Sequence, residues 1–147
     1  MALLGGGYEW GMPVIGGYVG NITTSYNSWS SYNTSHYRWV LPAGGTYELH
    51  ANLRVRVWGT TGFSRFRILR ASDNHAEGGS DNIKMGLETQ QSTANYLNAQ
   101  LHYIWKVTCS AADTFYLQGQ AMVTNSANHS LQSDGNGRHE CFWRRLN

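Results

Sequence analysis

His50 and His102 are the two side chains of this sequence best placed to do chemistry together. Each lies on the polar face of a long alternating run, Thr46 to Trp58 and Tyr96 to Thr108, since successive side chains on a strand point to opposite faces. If the runs are neighbours, the two imidazoles converge on a metal ion or form a pH-sensitive contact. The competing reading is that both are solvated or hydrogen-bonded strand histidines. His139-Glu140-Cys141 has metal-ligating residue types, but adjacent strand residues face opposite ways, so no site is assigned there.

The nine carboxylates are scattered. Asp73 with Glu77, or Asp81 with Glu88, would meet only through loop folding, whereas a glycoside hydrolase needs two carboxyl groups flanking one bond. The chain holds no Gly-x-Ser-x-Gly elbow, no His-Glu-x-x-His and no phosphate-cradling Gly-x-x-x-x-Gly-Lys. Cys109 and Cys141 form no Cys-x-x-Cys unit, which argues against a structural zinc. They are either a disulfide or two free thiols packed as small apolar groups. No catalytic residue, metal or cofactor is assigned, and the chain is expected not to be an enzyme.

The elements around these residues read as strands. Tyr37 to Leu41 is short and ends at Pro42, a residue tolerated at strand edges and turns. In the run after it, Tyr47, Leu49, Ala51, Leu53, Val55 and Val57 form an apolar face against Glu48, His50, Asn52, Arg54, Arg56 and Trp58. Gly59-Thr-Thr-Gly62 reads as a turn. Phe66 and Ile68 then oppose Arg65 and Arg67. Ala71 to Asp81 and Gln90 to Asn95 read as loops, with a brief strand beginning at Asn82. Leu97, Ala99, Leu101, Tyr103, Trp105 and Val107 share one phase. Phe115, Leu117, Gly119, Ala121 and Val123 share another, and Glu140 to Leu146 closes the chain as a strand. Asn125 to Arg138 is a long polar loop containing Asp134-Gly-Asn-Gly137, a strong turn signal. No helical period is present, so an all-β sandwich or barrel is expected.

Residues 1–36 differ in composition. They combine Gly5-Gly-Gly7 and Gly16-Gly17 with recurring rings: Tyr8, Trp10, Tyr18, Tyr26, Trp29 and Tyr32. A plain Gly/Ser linker lacks such rings, so the segment is expected to dock. Either it supplies the first strands of the sandwich or residues 1–20 form an arm packed on a neighbouring molecule.

At 147 residues one domain is expected, large enough to bury about 70% of its unfolded surface. Charged residues make up 14% and aromatics 13%, against about 25% charged in an average chain, and a surface so poor in charge suits contact with other proteins. Nine of the eleven cations are Arg, whose planar, weakly hydrated fork favours interfacial pairing. The net charge of +2 lacks the basic excess of a nucleic-acid binder. No signal-peptide pattern and no run of ~20 apolar residues is seen, so a protein made in the cytoplasm, with no membrane partner, is expected.

Leu41-Pro-Ala-Gly-Gly-Thr-Tyr-Glu-Leu49, Val107-Thr-Cys-Ser-Ala-Ala-Asp-Thr-Phe-Tyr-Leu-Gln-Gly119 and the aromatic strand Cys141-Phe142-Trp143 together resemble the antiparallel jelly-roll β-sandwich of the C1q and tumour-necrosis-factor superfamily. That family has Pro-x-x-Gly-x-Tyr early, a Gly-Asp strand late and an aromatic strand last. Here Ala112 precedes Asp113 in place of Gly. The likeness spans residues 37–147 and leaves 1–36 as an irregular N-terminal arm. It implies a non-enzymatic homotrimer, with one sheet face of each protomer turned to a threefold axis. Tyr47, Tyr103, Trp105, Tyr116 and Trp143 are its candidates for core or trimer interface.

Jelly-roll trimers of this kind occur in tailed phages as capsid decoration or cement proteins and as fibre heads. Low charge and the aromatic-dotted arm fit that setting, and no shaft or coiled coil precedes the domain. The expectation is a virion protein on the outer surface of the shell, binding the major capsid protein or another virion protein. The alternative is a receptor-binding head for a host-surface glycan, with loops 71–81 and 125–138 supplying the contacts.

Overall fold

The computed structural model describes residues 10–11, 14–16, 29–31, 37–77, 82–123, 129–131 and 139–147. Among these the fold is all-β and every strand pair is antiparallel. The strands are β1 (Val14–Gly16), β2 (Ser30–Ser31), β3 (Arg38–Leu41), β4 (Gly45–Arg70), β5 (His75–Ala76), β6 (Lys84–Cys109), β7 (Asp113–Val123), β8 (His129–Leu131) and β9 (His139–Arg145).

Two of these strands organise the rest. β4 and β6 are 26 residues each and pair with one another from Gly45↔Cys109 to Phe66↔Lys84. The base of this ribbon carries β9 along Tyr47–Asn52 and β8 along Val55–Val57, with β1 outside β9. Its far half carries β7 along Gly62–Arg70, with β3 and β2 on the other edge of β7 and β5 at the end of β4. The strands form one continuous nine-stranded sheet. Its two halves, β1-β9-β4-β6 at the base and β3-β7-β4-β6 beyond it, share the ribbon and serve as the two sheets of a sandwich.

The crossing point corrects two expectations. Gly59–Gly62 was expected to turn and Gln90–Asn95 to form a loop, yet both lie within continuous strands. They face each other in the ribbon: Gly59 pairs with Asn95 and Thr61 with Gln90, with a register shift between. Turn-forming residues here make a bulge, which bends and twists a strand without ending it. The shift also inverts the phase of β4. Tyr47, Leu49, Ala51, Leu53 and Val55 are buried before it; Ser64, Phe66 and Ile68 are buried after it. Between Gly59 and Thr61 β6 carries three more residues than β4, and between Phe63 and Arg65 one more. An odd offset exchanges the faces of paired strands, and apolar residues stay inward along both halves of β4. The loop expected over Asn125–Arg138 also contains β8.

The buried cluster joins both sheets: Tyr37, Trp39 and Leu41 with Phe66, Ile68, Phe115 and Leu117 from one, and Tyr47, Leu49, Leu53, Trp105, Val107, Cys141 and Trp143 from the other. Three ring tips bond backbone elsewhere in the fold. Trp39 Nε1 donates to the His50 carbonyl at 2.8 Å, Trp105 Nε1 to Asn82 at 2.8 Å and Tyr103 Oη to Met85 at 2.7 Å. Buried indole and phenol groups need such partners, and here each has one. Trp39 and Trp105 meet edge to face at 5.8 Å.

Candidate functional site

The outer face of the β9–β4–β6 sheet collects the groups able to do chemistry. The register sets three rows across the strands: Lys106, Glu48 and Arg144; Ile104, His50 and Phe142; His102, Asn52 and Glu140. Pairing of β4 with β6 makes His50 and His102 diagonal neighbours.

A continuous polar chain runs over this face. Arg144 donates to Glu48 Oε2 from Nη2 at 2.6 Å and from Nε at 3.0 Å. The same oxygen lies 3.3 Å from His50 Nε2, and His50 Nδ1 lies 3.1 Å from His102 Nε2. An ionised carboxylate only accepts, so His50 carries its proton on Nε2 and presents a bare Nδ1 to His102. Burial alone would raise Glu48, but the hydrogen bonds from Arg144 and His50 hold it below its ordinary value. Burial lowers His50, against the opposing pull of Glu48. In the next row Asn52 donates to Glu140 Oε2 at 3.2 Å.

Aromatic rings wall the chain in. Phe142 stacks on His50 with centroids 4.7 Å apart and planes 13° from parallel. Trp10 leans on both, 5.8 Å from Phe142 and 6.0 Å from His50, beneath the Arg144 guanidinium at 5.6 Å. Trp10 is bridged to Arg144, and Gly11 N–H donates to the Trp143 carbonyl at 2.9 Å. A Cβ on Gly11 would lie 2.0 Å from the Trp143 indole nitrogen, so this approach requires glycine. His50 is 7% exposed as a result, while His102 stays open to solvent.

The outer face of the second sheet is built differently. Arg65 Nε donates to Gln120 at 2.6 Å and Arg67 Nε to Gln118 at 2.8 Å, and the Arg67 guanidinium lies 4.3 Å from the centre of the Trp29 ring. Gln118 Nε2 reaches Ser31. Both glutamines are buried although they point away from the core.

Of the rings singled out in the sequence, Trp10 and Trp29 thus cover arginines on different sheets, and Tyr8, Tyr18, Tyr26 and Tyr32 lie outside the described residues. Tyr47, Trp105 and Trp143 are buried in the core, Tyr103 packs partly against it, and Tyr116 is half-buried on the outward side of β7. The two thiols are free and buried. Asp73 and Glu77 do not form a carboxylate pair: Asp73 accepts from the His75 backbone, and Glu77 is bonded by Arg70. Glu140 is half-buried on the outer face, and Cys141 is buried inward. Among the described residues no three His, Cys, Asp or Glu side chains form a metal-binding group.

Sequence reasoning missed Arg144, Glu48 and Phe142 as partners of His50. Glu48 was visible two positions away on the same face; Arg144 and Phe142 depend on a register set far along the chain. No protein-family model and no curated protein sequence matches this chain.

Proposed function

We propose that the chain is a non-enzymatic virion protein, a homotrimer that decorates and cements the outer surface of a viral shell through protein–protein contacts. The observation that carries this reading is the pairing of strands within the one antiparallel sheet, β1-β9-β4-β6 in one half and β3-β7-β4-β6 in the other. Chain crossings of this kind in an antiparallel sandwich support a jelly roll, as the resemblance to the C1q and tumour-necrosis-factor superfamily implies.

In this reading the outer face of β9, β4 and β6 turns to the threefold axis. Ile104, 43% exposed in the middle row of that face, would be buried there, and arginine-rich, charge-poor surfaces suit such seams. The N-terminal segment reaches a major capsid protein or another virion protein. A fold does not by itself give a function, so the role needs its own tests.

Light scattering on the purified chain is expected to give about 50 kDa, three copies of the 16.5 kDa chain, and Ile104→Lys is expected to give monomer. A monomeric parent chain overturns the assembly. Removing residues 1–9, which leaves Trp10, Gly11 and β1 in place on β9, is expected to abolish attachment to particles while the trimer persists; a truncated protein that still decorates them overturns the role of the arm.

One feature favours the alternative, a glycan-binding fibre head. Arg54, Asn98 and Gln100 line a shallow depression of about 260 Å³ with Ala99, and guanidinium and carboxamide groups suit sugar hydroxyls and carboxylates. Binding on a glycan array that Asn98→Ala and Gln100→Ala abolish would favour that role over decoration.

A further inference from the structure

We propose that His50 and His102 are the two protein ligands of a divalent transition-metal ion, zinc in the first instance, held on the outer face of the β9–β4–β6 sheet. The inference does not need the virion reading; the site shares its face with the proposed trimer seam, so the metal titration is run on Ile104→Lys, the monomeric variant, as well as on the parent chain.

Three features converge on it. The facing nitrogens, His50 Nδ1 and His102 Nε2, are 3.1 Å apart. With both bonds at about 2.05 Å, the usual zinc–imidazole length, the ligand–metal–ligand angle is roughly 98°, between octahedral and tetrahedral values. His50 Nε2 meets Glu48 Oε2, and Glu48 is in turn gripped twice by Arg144. A carboxylate on the far nitrogen of a histidine is the usual support of a metal-bound imidazole, because it fixes the tautomer and raises ligand basicity. Here it leaves the lone pair on the nitrogen that faces His102.

The third feature is the mounting of the two rings. His50 is clamped between strands by the stack on Phe142, so one ligand is already oriented. His102 is exposed and can rotate or change tautomer to bring its Nε2 lone pair to bear. Imidazole nitrogens suit zinc, copper and nickel, whereas magnesium and calcium prefer oxygen donors. Solvent supplies the remaining positions, so binding is weaker than at a four-ligand structural site.

Isothermal titration of the full chain with zinc chloride, repeated with nickel chloride, tests the assignment. One ion per chain is expected, with a rise in melting temperature at saturating metal. His102→Ala removes an exposed side chain and is expected to keep the metal-free melting temperature while weakening binding at least tenfold. Glu48→Gln keeps an acceptor at the same place and is expected to weaken binding 10- to 100-fold, as loss of such a supporting carboxylate does. No heat and no thermal shift at millimolar metal overturns the proposal. So does equal affinity in His102→Ala, which would assign any binding to other histidines.

Discussion

Replacing Trp39 by Phe removes one hydrogen bond and part of one ring from the middle of the sandwich. The indole is 1% exposed, and its N–H reaches the His50 carbonyl across the core. Losing a neutral hydrogen bond of this kind costs about 1 kcal/mol. The smaller ring leaves roughly 40 Å³ unfilled, which at about 24 cal/mol per Å³ adds about 1 kcal/mol. The sum, about 2 kcal/mol, corresponds to a fall in melting temperature of about 4–8 °C for a domain of this size. Calorimetry or urea denaturation reads it directly. Trp10→Phe is the matched control: that ring is 52% exposed, and its replacement should change stability by less than about 0.5 kcal/mol. Equal effects of the two substitutions would refute the closure of β3 over β4 through this indole.

Two further outcomes follow from the core. Burial pushes the Cys141 thiol up to about 12, the Arg38 backbone opposing slightly, whereas an unfolded cysteine ionises near about 8.5. Above that pH the unfolded chain holds fewer protons than the folded one, so stability falls as pH rises, by up to about 1.4 kcal/mol per unit for this group. Urea midpoints measured from pH 8 to 11 should decline, and Cys141→Ala should flatten the decline. An unchanged slope in that variant would mean the thiol is not responsible. Gly86→Ala would set a Cβ 2.1 Å from Ser64 Oγ and 2.8 Å from Phe66. Ser64 is fully buried and bonds both backbone groups of Leu87, so a loss of about 1–3 kcal/mol is expected; a neutral result would show that the serine has room to move.

The faces of the strands were legible because alternation is local. Tyr47 to Val55 and Phe66 with Ile68 could be assigned to the interior from their own spacing, and His50 to the opposite side. Position along the neighbour was not legible. Glycines and threonines at 59–62 carry the same signal whether a strand turns or bulges, and the choice was decided by Gln90–Asn95 opposite them. The same limit hid Arg144 and Phe142, whose place beside Glu48 and His50 follows from the register of β9 on β4. The rings of residues 1–36 read as a docking segment, and the sequence leaves Tyr47, Tyr103, Trp105, Tyr116 and Trp143 between core and trimer interface. Tyr47, Trp105 and Trp143 are interior, as is Trp39, and the Trp39 and Trp105 indoles bond backbone from within the core.

The shared ribbon also bears on the order in which the chain gains structure. Its rungs begin at Phe66↔Lys84 near the tip and end at Gly45↔Cys109, so pairing can zip outward from a short closed loop. Each added rung then closes only the next residues of the two strands and no new long loop, so the loop-closure cost falls on the first rung. β7 and β9 would dock on opposite ends of a spine already standing. Since neither sheet is complete without that spine, neither can melt while the other survives, and fluorescence and circular dichroism should report one and the same transition.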